Sequence, residues 1–191
     1  MEALNTQQVM IMRPITFLLA GLLLTLALIS SVMASRETPA DPPGAMPSLA
    51  GAAEWLNSPP LDLQALKGKV VLVDFWTYDC INCRRALPYV KEWAKRYEPD
   101  GLVVVGVHTP EYAYEQVSGN VRDQVRKLGI TYPVALDNNY AIWRSFDNQF
   151  WPAHYLIDAK GKVRYSHFGE GDYEAQEQVI QALLHEAKAI E

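Results

Sequence analysis

The stretch Lys69-Val-Val-Leu-Val-Asp-Phe-Trp-Thr-Tyr-Asp-Cys-Ile-Asn-Cys83 joins two signals. Lys69 to Trp76 is a nearly continuous apolar run, the pattern of a strand covered on both faces. From Cys80 to Tyr97 the apolar residues Ala86, Leu87, Val90, Trp93, Ala94 and Tyr97 recur at helical spacing. Cys80 and Cys83 therefore stand where a buried strand gives way to a helix. A thiolate is the nucleophile in disulfide exchange, and an ordinary cysteine is mostly protonated at neutral pH. Unpaired backbone N–H groups at a helix N-terminus favour the anion. Cys83 lies about one helical turn on, close enough to close a small disulfide ring and to resolve a mixed disulfide. Arg84 and Arg85 add positive potential near Cys80, and Asp79 opposes it.

These are the only two cysteines of the 191 residues, so disulfide chemistry within the chain has to use this pair. The alternatives are a zinc half-site or a purely structural disulfide. Zinc usually needs four ligands. The chain offers no second CxxC, and His108, His154, His167 and His185 lack metal-ligand spacing. An i to i+3 disulfide closes so short a loop that it constrains the unfolded chain least. No metal and no cofactor is expected, and the histidines read as ordinary residues.

Downstream, Pro99-Asp100-Gly101 marks a turn and Leu102 to His108 a second buried strand. Tyr112 to Leu128 reads as a helix ending at Gly129, Pro133 to Leu136 as a short strand, and Asn139 to Phe146 as a short helix. Ala153 to Asp158 and Lys162 to Phe168 form a hairpin about Ala159-Lys160-Gly161, and Asp172 to Ile190 is the last helix. Upstream, Trp55 to Gly68 reads as a short opening hairpin. The order predicts an α/β domain with a central mixed sheet and helices on both faces.

Ile15 to Met33 is apolar and uncharged, long enough to cross a bilayer at about 20 residues per span. It exceeds the usual h-region of a signal peptide, so an uncleaved anchor is the favoured reading over cleavage after Val32-Met33-Ala34. Residues 1–34 are thus expected to be a signal-anchor or signal peptide and 35–47 a proline-rich exposed tether, with the folded domain at 48–191. The net charge of −5 comes without a basic patch, which argues against nucleic-acid binding.

The segment from Val73 to Cys83 resembles the strand-to-active-site segment of thioredoxins. Asp74 lies six residues before Cys80, where thioredoxins keep a buried aspartate, and Pro88 lies five after Cys83, where their active-site helix is kinked. Trp151-Pro152 precedes a strand, where the family places a cis-proline, and Gly169 follows the hairpin. The insertion between Pro110 and Asp137 resembles that of TlpA/ResA-type extracytoplasmic thioredoxins. WTYDCINC, GVHTPE, YPVALDNNYAIW and WPAHYLID together most resemble the thioredoxin-like module of DipZ-type proteins. Ile81-Asn82 replaces the usual Gly-Pro, and Asp79 stands where many thioredoxins have tryptophan, so the redox potential stays open.

The resemblance implies a thioredoxin fold and a thiol–disulfide oxidoreductase acting on extracytoplasmic proteins, as a reductant. Cys80 would attack and Cys83 resolve. The apolar neighbours of Asp74 leave its strand little polar face, and burial without a partner favours the protonated carboxyl, a state suited to a proton carrier for Cys83. Pro152, Trp151 and Phe150 would line a substrate groove. The implied partners are disulfide-bearing extracytoplasmic proteins and a membrane thiol donor of the DsbD/CcdA type. The redox domain would sit in the periplasm, or otherwise outside the cytoplasm, on a single inner-membrane span, or be secreted after cleavage. A disulfide-donating oxidase, a thiol peroxidase and a non-enzymatic binding module are the competing readings.

Overall fold

A computed structural model describes residues 44–189. The hydrophobic run and most of the expected tether lie outside the described residues. Among the described residues, six strands form one sheet: β1 Glu54–Leu56, β2 Val70–Trp76, β3 Leu102–His108, β4 Val134–Leu136, β5 Ala153–Ile157 and β6 Val163–Phe168. Their order across the sheet is β1-β4-β3-β2-β5-β6. β2, β3 and β4 are parallel neighbours, whereas β1, β5 and β6 join antiparallel. The helices are α1 Ile81–Tyr97, α2 Ser118–Lys127, α3 Ala141–Ser145 and α4 Tyr173–Lys188.

Strand alternation separates two cores. Val70, Leu72 and Trp76 of β2 pack with Leu87, Val90 and Trp93 of α1, Val121 and Val125 of α2, and Ile180, Leu183 and Leu184 of α4. Val71, Val73 and Phe75 face the other way, against Ile142 of α3, Phe146, Met46, Leu49 and Leu66. Every residue of β2 is buried, as its unbroken apolar run requires. Asp74 shares the even-numbered face, so its carboxyl is directed into the layer that holds α1 and α4.

The structure differs from the sequence reading in three places. Trp55 to Gly68 contains no hairpin. β1 is three residues long and pairs with β4, far along the chain. The Tyr112–Leu128 helix is broken at Val117, which takes an extended conformation between a 3-10 turn at Ala113–Gln116 and α2. The break lets Glu115 turn inward, where its side chain is buried. Finally, the folded domain starts before Ser48. Ala45 bridges Lys162, Met46 N–H donates to the Gly161 carbonyl at 2.7 Å, and the Met46 side chain is buried. The apolar methionine gains more by covering the lower core than by staying on an exposed tether.

Two glycines are required by geometry. Gly129 has φ +62° and ends α2: its N–H reaches the Arg126 carbonyl, and Ile130 N–H reaches the Val125 carbonyl. Gly106 sits beside Asp74 in β3, where a Cβ would lie 3.0 Å from both Trp76 Nε1 and Tyr132 Cε2. Its bare backbone admits the Tyr132 ring to that face.

Candidate functional site

Cys80 is the N-cap of α1. Its sulfur accepts the Cys83 N–H at 3.1 Å, one of the donors a helix start leaves unpaired. The two cysteines form a disulfide with Cα atoms 5.2 Å apart. Cys80 is half-buried, while Cys83 is only 4% exposed under the first turn of α1. An outside partner can therefore reach the first sulfur and not the second.

The loop before Cys80 is held from below by Glu115, which is fully buried. Thr77 Oγ1 donates to Glu115 Oε1, as does Asp79 N–H at 3.2 Å. Glu111 N–H and Tyr112 N–H donate to Oε2 at 2.7 and 3.0 Å. Both oxygens act as acceptors. Asp79 is exposed and accepts from Tyr114 Oη at 2.5 Å. Hydrogen bonding to Asp79 holds the Tyr114 phenol well above its ordinary pKa. Two acidic side chains thus stand at the loop before Cys80. The sequence signal for Glu115 is faint, since a glutamate in an apparent helix normally reads as solvent-facing.

His108 ends β3 beside this loop, stacked on Tyr78, with Nε2 3.2 Å from Thr77 Oγ1. Thr77 spends its proton on Glu115, so His108 Nε2 must carry the hydrogen. Burial pushes the His108 pKa down to about 4, although the Glu115 charge opposes this. The folded state thus binds fewer protons than the unfolded chain between about pH 6.5 and 4. This contribution is fully present above about pH 6.5 and is lost as pH falls toward about 4. At about 1.4 kcal/mol per unit, the loss is on the order of 3 kcal/mol. Denaturant titrations of wild type and His108→Phe should therefore diverge between about pH 6.5 and 4, with the variant the less acid-sensitive. Parallel profiles would mean that His108 does not titrate as its burial requires.

Asp74 is 3% exposed and sits at the centre of the sheet, level with Gly106 on β3 and His154 on β5. It is not alone there. His154 Nε2 lies 3.3 Å from Asp74 Oδ1, within ion-pair range although without the alignment of a hydrogen bond. His154 read as an ordinary residue in the sequence, yet it is the buried partner of the candidate proton carrier. The two positions are 80 residues apart, and only the pairing of β2 with β5 brings them together.

The Trp151–Pro152 peptide bond is cis, the form the resemblance implies, and Pro152 is buried. Ala153 pairs with Phe75, so Pro152 lies level with the end of β2 that leads to Cys80. Trp151 is half-buried, donates from Nε1 to the Thr109 carbonyl at 3.1 Å and packs on Trp143, with centroids 4.2 Å apart. Trp151 and Cys80 both pack against the α1 core. Phe150 is 52% exposed and leans on Phe168 at 5.3 Å. No cluster of three metal-ligating side chains occurs among the described residues.

The Redoxin family profile matches residues 45–184. Over 148 residues the chain is 56% identical to Protein DipZ of Mycobacterium tuberculosis, covering 76% of this chain and 21% of DipZ. The chain thus spans about a fifth of the length of that relative. Thiol-disulfide oxidoreductase YkuV of Bacillus subtilis is 31% identical over 143 residues, covering 75% of this chain and 96% of YkuV. The solution structure of a thioredoxin-like protein in the oxidised form superposes with a TM-score of 0.68 at 31% identity, over 75% of this chain and 96% of that one. A thioredoxin family thiol:disulfide interchange protein from Chlorobium tepidum shares the fold, with a TM-score of 0.63 at 24% identity over 76% and 99% of the two chains. With a strand-to-helix CxxC pair in a thioredoxin-like sheet and this match over most of its length, the chain belongs to the Redoxin family, among thioredoxin-like thiol–disulfide oxidoreductases.

Proposed function

We propose that this chain reduces disulfides of proteins outside the cytoplasm. The observation that carries the reading is the asymmetry of the pair: a reachable Cys80 sulfur capping α1, and a buried Cys83 behind it. Cys80 attacks the substrate disulfide and Cys83 resolves the mixed disulfide, with Asp74 carrying the Cys83 proton. Pro152, Trp151 and Phe150 form the substrate-facing edge. A disulfide-donating enzyme gains its oxidising power from a stabilised thiolate. Here the acids Asp79 and Glu115 lie at the loop that leads into Cys80, a negative setting that supports a reductant. An adjacent resolving cysteine fits a peroxidase less well than a reductase, because peroxidatic sites generally use one exposed low-pKa thiol.

In this reading the apolar run Ile15 to Met33 holds the domain at the membrane, where a DsbD/CcdA-type dithiol donor resets the pair. No helix among the described residues is long and apolar enough to cross a membrane. Equilibration of the full chain with glutathione and thioredoxin redox couples tests the direction of transfer. The expected potential lies below about −200 mV, nearer to thioredoxin than to DsbA. A value near −120 mV, that of DsbA, would make the chain a disulfide donor.

A further inference from the structure

The hydrogen bonds around His154 determine which of its ring nitrogens faces Asp74 without a hydrogen of its own. Gln176 Nε2 lies 2.8 Å from the Gly171 carbonyl, which can only accept. The amide orientation is therefore set, and Gln176 Oε1 faces His154 Nδ1 at 2.6 Å. Nδ1 must carry a hydrogen, because Oε1 can only accept. In the neutral ring, Nε2 is then a bare acceptor 3.3 Å from Asp74 Oδ1. An ionised carboxylate facing a bare nitrogen, both buried, would leave two acceptors opposed without a donor. One proton between them removes the conflict, whichever of the two atoms it rides on.

We propose that His154 is the positioning partner of Asp74, and that the pair holds one proton while Cys80 and Cys83 are joined and returns it to Cys83 when the disulfide is reduced. The proposal rests on the reading of Asp74 as the Cys83 proton carrier and names where that proton is kept. During reduction by a dithiol, the donor thiolate bonds to the Cys80 sulfur and the Cys80–Cys83 bond breaks. Its electron pair leaves on Cys83, which takes the stored proton through Asp74. During resolution of a substrate mixed disulfide the flow reverses. The Cys83 S–H bond breaks and its proton passes to Asp74 and the His154 junction. The Cys83 sulfur bonds to Cys80, and the substrate sulfur leaves with its electron pair and is protonated by water. Between the two events the pair stands empty, with two acceptors opposed. That makes it a ready base when Cys83 has to lose its proton.

The surroundings leave this pair as the proton store. Burial by itself lowers the His154 pKa, but the close Asp74 carboxylate and the Gln176 contact outweigh it and raise the value. Tyr132, from the segment before β4, is buried beside Asp74. Burial, and then the Asp74 charge, hold its phenol well above the ordinary value and so neutral. On β6, His167 stands directly across from His154, with Nδ1 3.8 Å from Asp172 Oδ2 at the start of α4. From α1, Trp93 presents its ring to His154 edge-on at 6.3 Å, and Cys83 lies in the same core.

The test uses the full chain with nitrogen-15 histidine, oxidised and then reduced with a dithiol, followed by NMR between about pH 5 and 8, the range in which histidine ordinarily titrates. His167→Gln assigns the neighbouring ring. The expected result is that Nδ1 of His154 stays protonated in both forms, while the Nε2 resonance shifts on reduction as the proton bound or donated to it is withdrawn. An Nε2 resonance that is the same in both redox states across that range overturns the proposal. As a kinetic readout, His154→Leu should slow the resolution step about tenfold and shift its pH profile, with the first attack unchanged. Resolution by Asp74→Asn separates the two readings. A slow Asp74→Asn with a redox-insensitive His154 ring removes the pair and keeps Asp74. A redox-sensitive ring with normal resolution in Asp74→Asn overturns both, because the proton of Cys83 then does not travel through Asp74.

Discussion

Cys80→Ser is expected to bring disulfide reduction down to the uncatalysed level, whereas Cys83→Ser should stop the cycle one step later. The contrast follows from where the sulfurs lie. Cys80 is half-buried at the N-cap of α1, and its sulfur already accepts the Cys83 N–H, a bond that would also favour its thiolate. A serine hydroxyl in that place is not ionised near neutral pH and offers no comparable nucleophile. With Cys83→Ser the attack survives, but nothing displaces the substrate from Cys80. A covalent adduct should accumulate at up to one per chain, visible as a mass increase that a reducing agent removes. Adducts of equal yield on both variants would reverse the roles assigned to the two cysteines. Loss of neither activity in either variant would leave the non-enzymatic binding module as the better reading.

Asp74→Asn should slow resolution of the mixed disulfide by roughly 10²-fold, the lower end of what a positioned acid–base group contributes. The first attack should change little, because Cys80 has the helix N-terminus to assist it and Cys83 does not. Asparagine keeps the shape of the buried side chain and can still donate to the bare Nε2 of His154. It cannot take up a proton. The stability of the oxidised protein should therefore hold within about 1 kcal/mol, which separates a kinetic loss from unfolding. Rapid mixing of the variant with a chromogenic mixed-disulfide substrate gives both steps in one trace. Resolution at the wild-type rate would take Asp74 out of the mechanism and leave the cysteine chemistry standing.

What the sequence by itself determined is local. The apolar run of β2, the helical spacing after Cys80 and the i to i+3 cysteines each declare themselves within a few residues of one another. The burial of Asp74 could be read in the same way, because its neighbours leave its strand no polar face. Gly129 ended its helix for a local reason as well, a left-handed cap at φ +62°. The tertiary structure alone decided the rest. His154 becomes the partner of Asp74 only when β5 lies antiparallel beside β2, and its tautomer is set by Gln176, a further 22 residues on. Glu115 looked like one polar position in a long helix. The break at Val117 turns it under the Cys80 loop, where it meets four donors from two segments. Met46 left the expected tether because the β5–β6 hairpin offered its backbone a partner and its side chain a core. The physical reason is common to all three. A buried polar or apolar group is placed by its partners, and these partners come from chain segments whose proximity no periodicity of the sequence encodes.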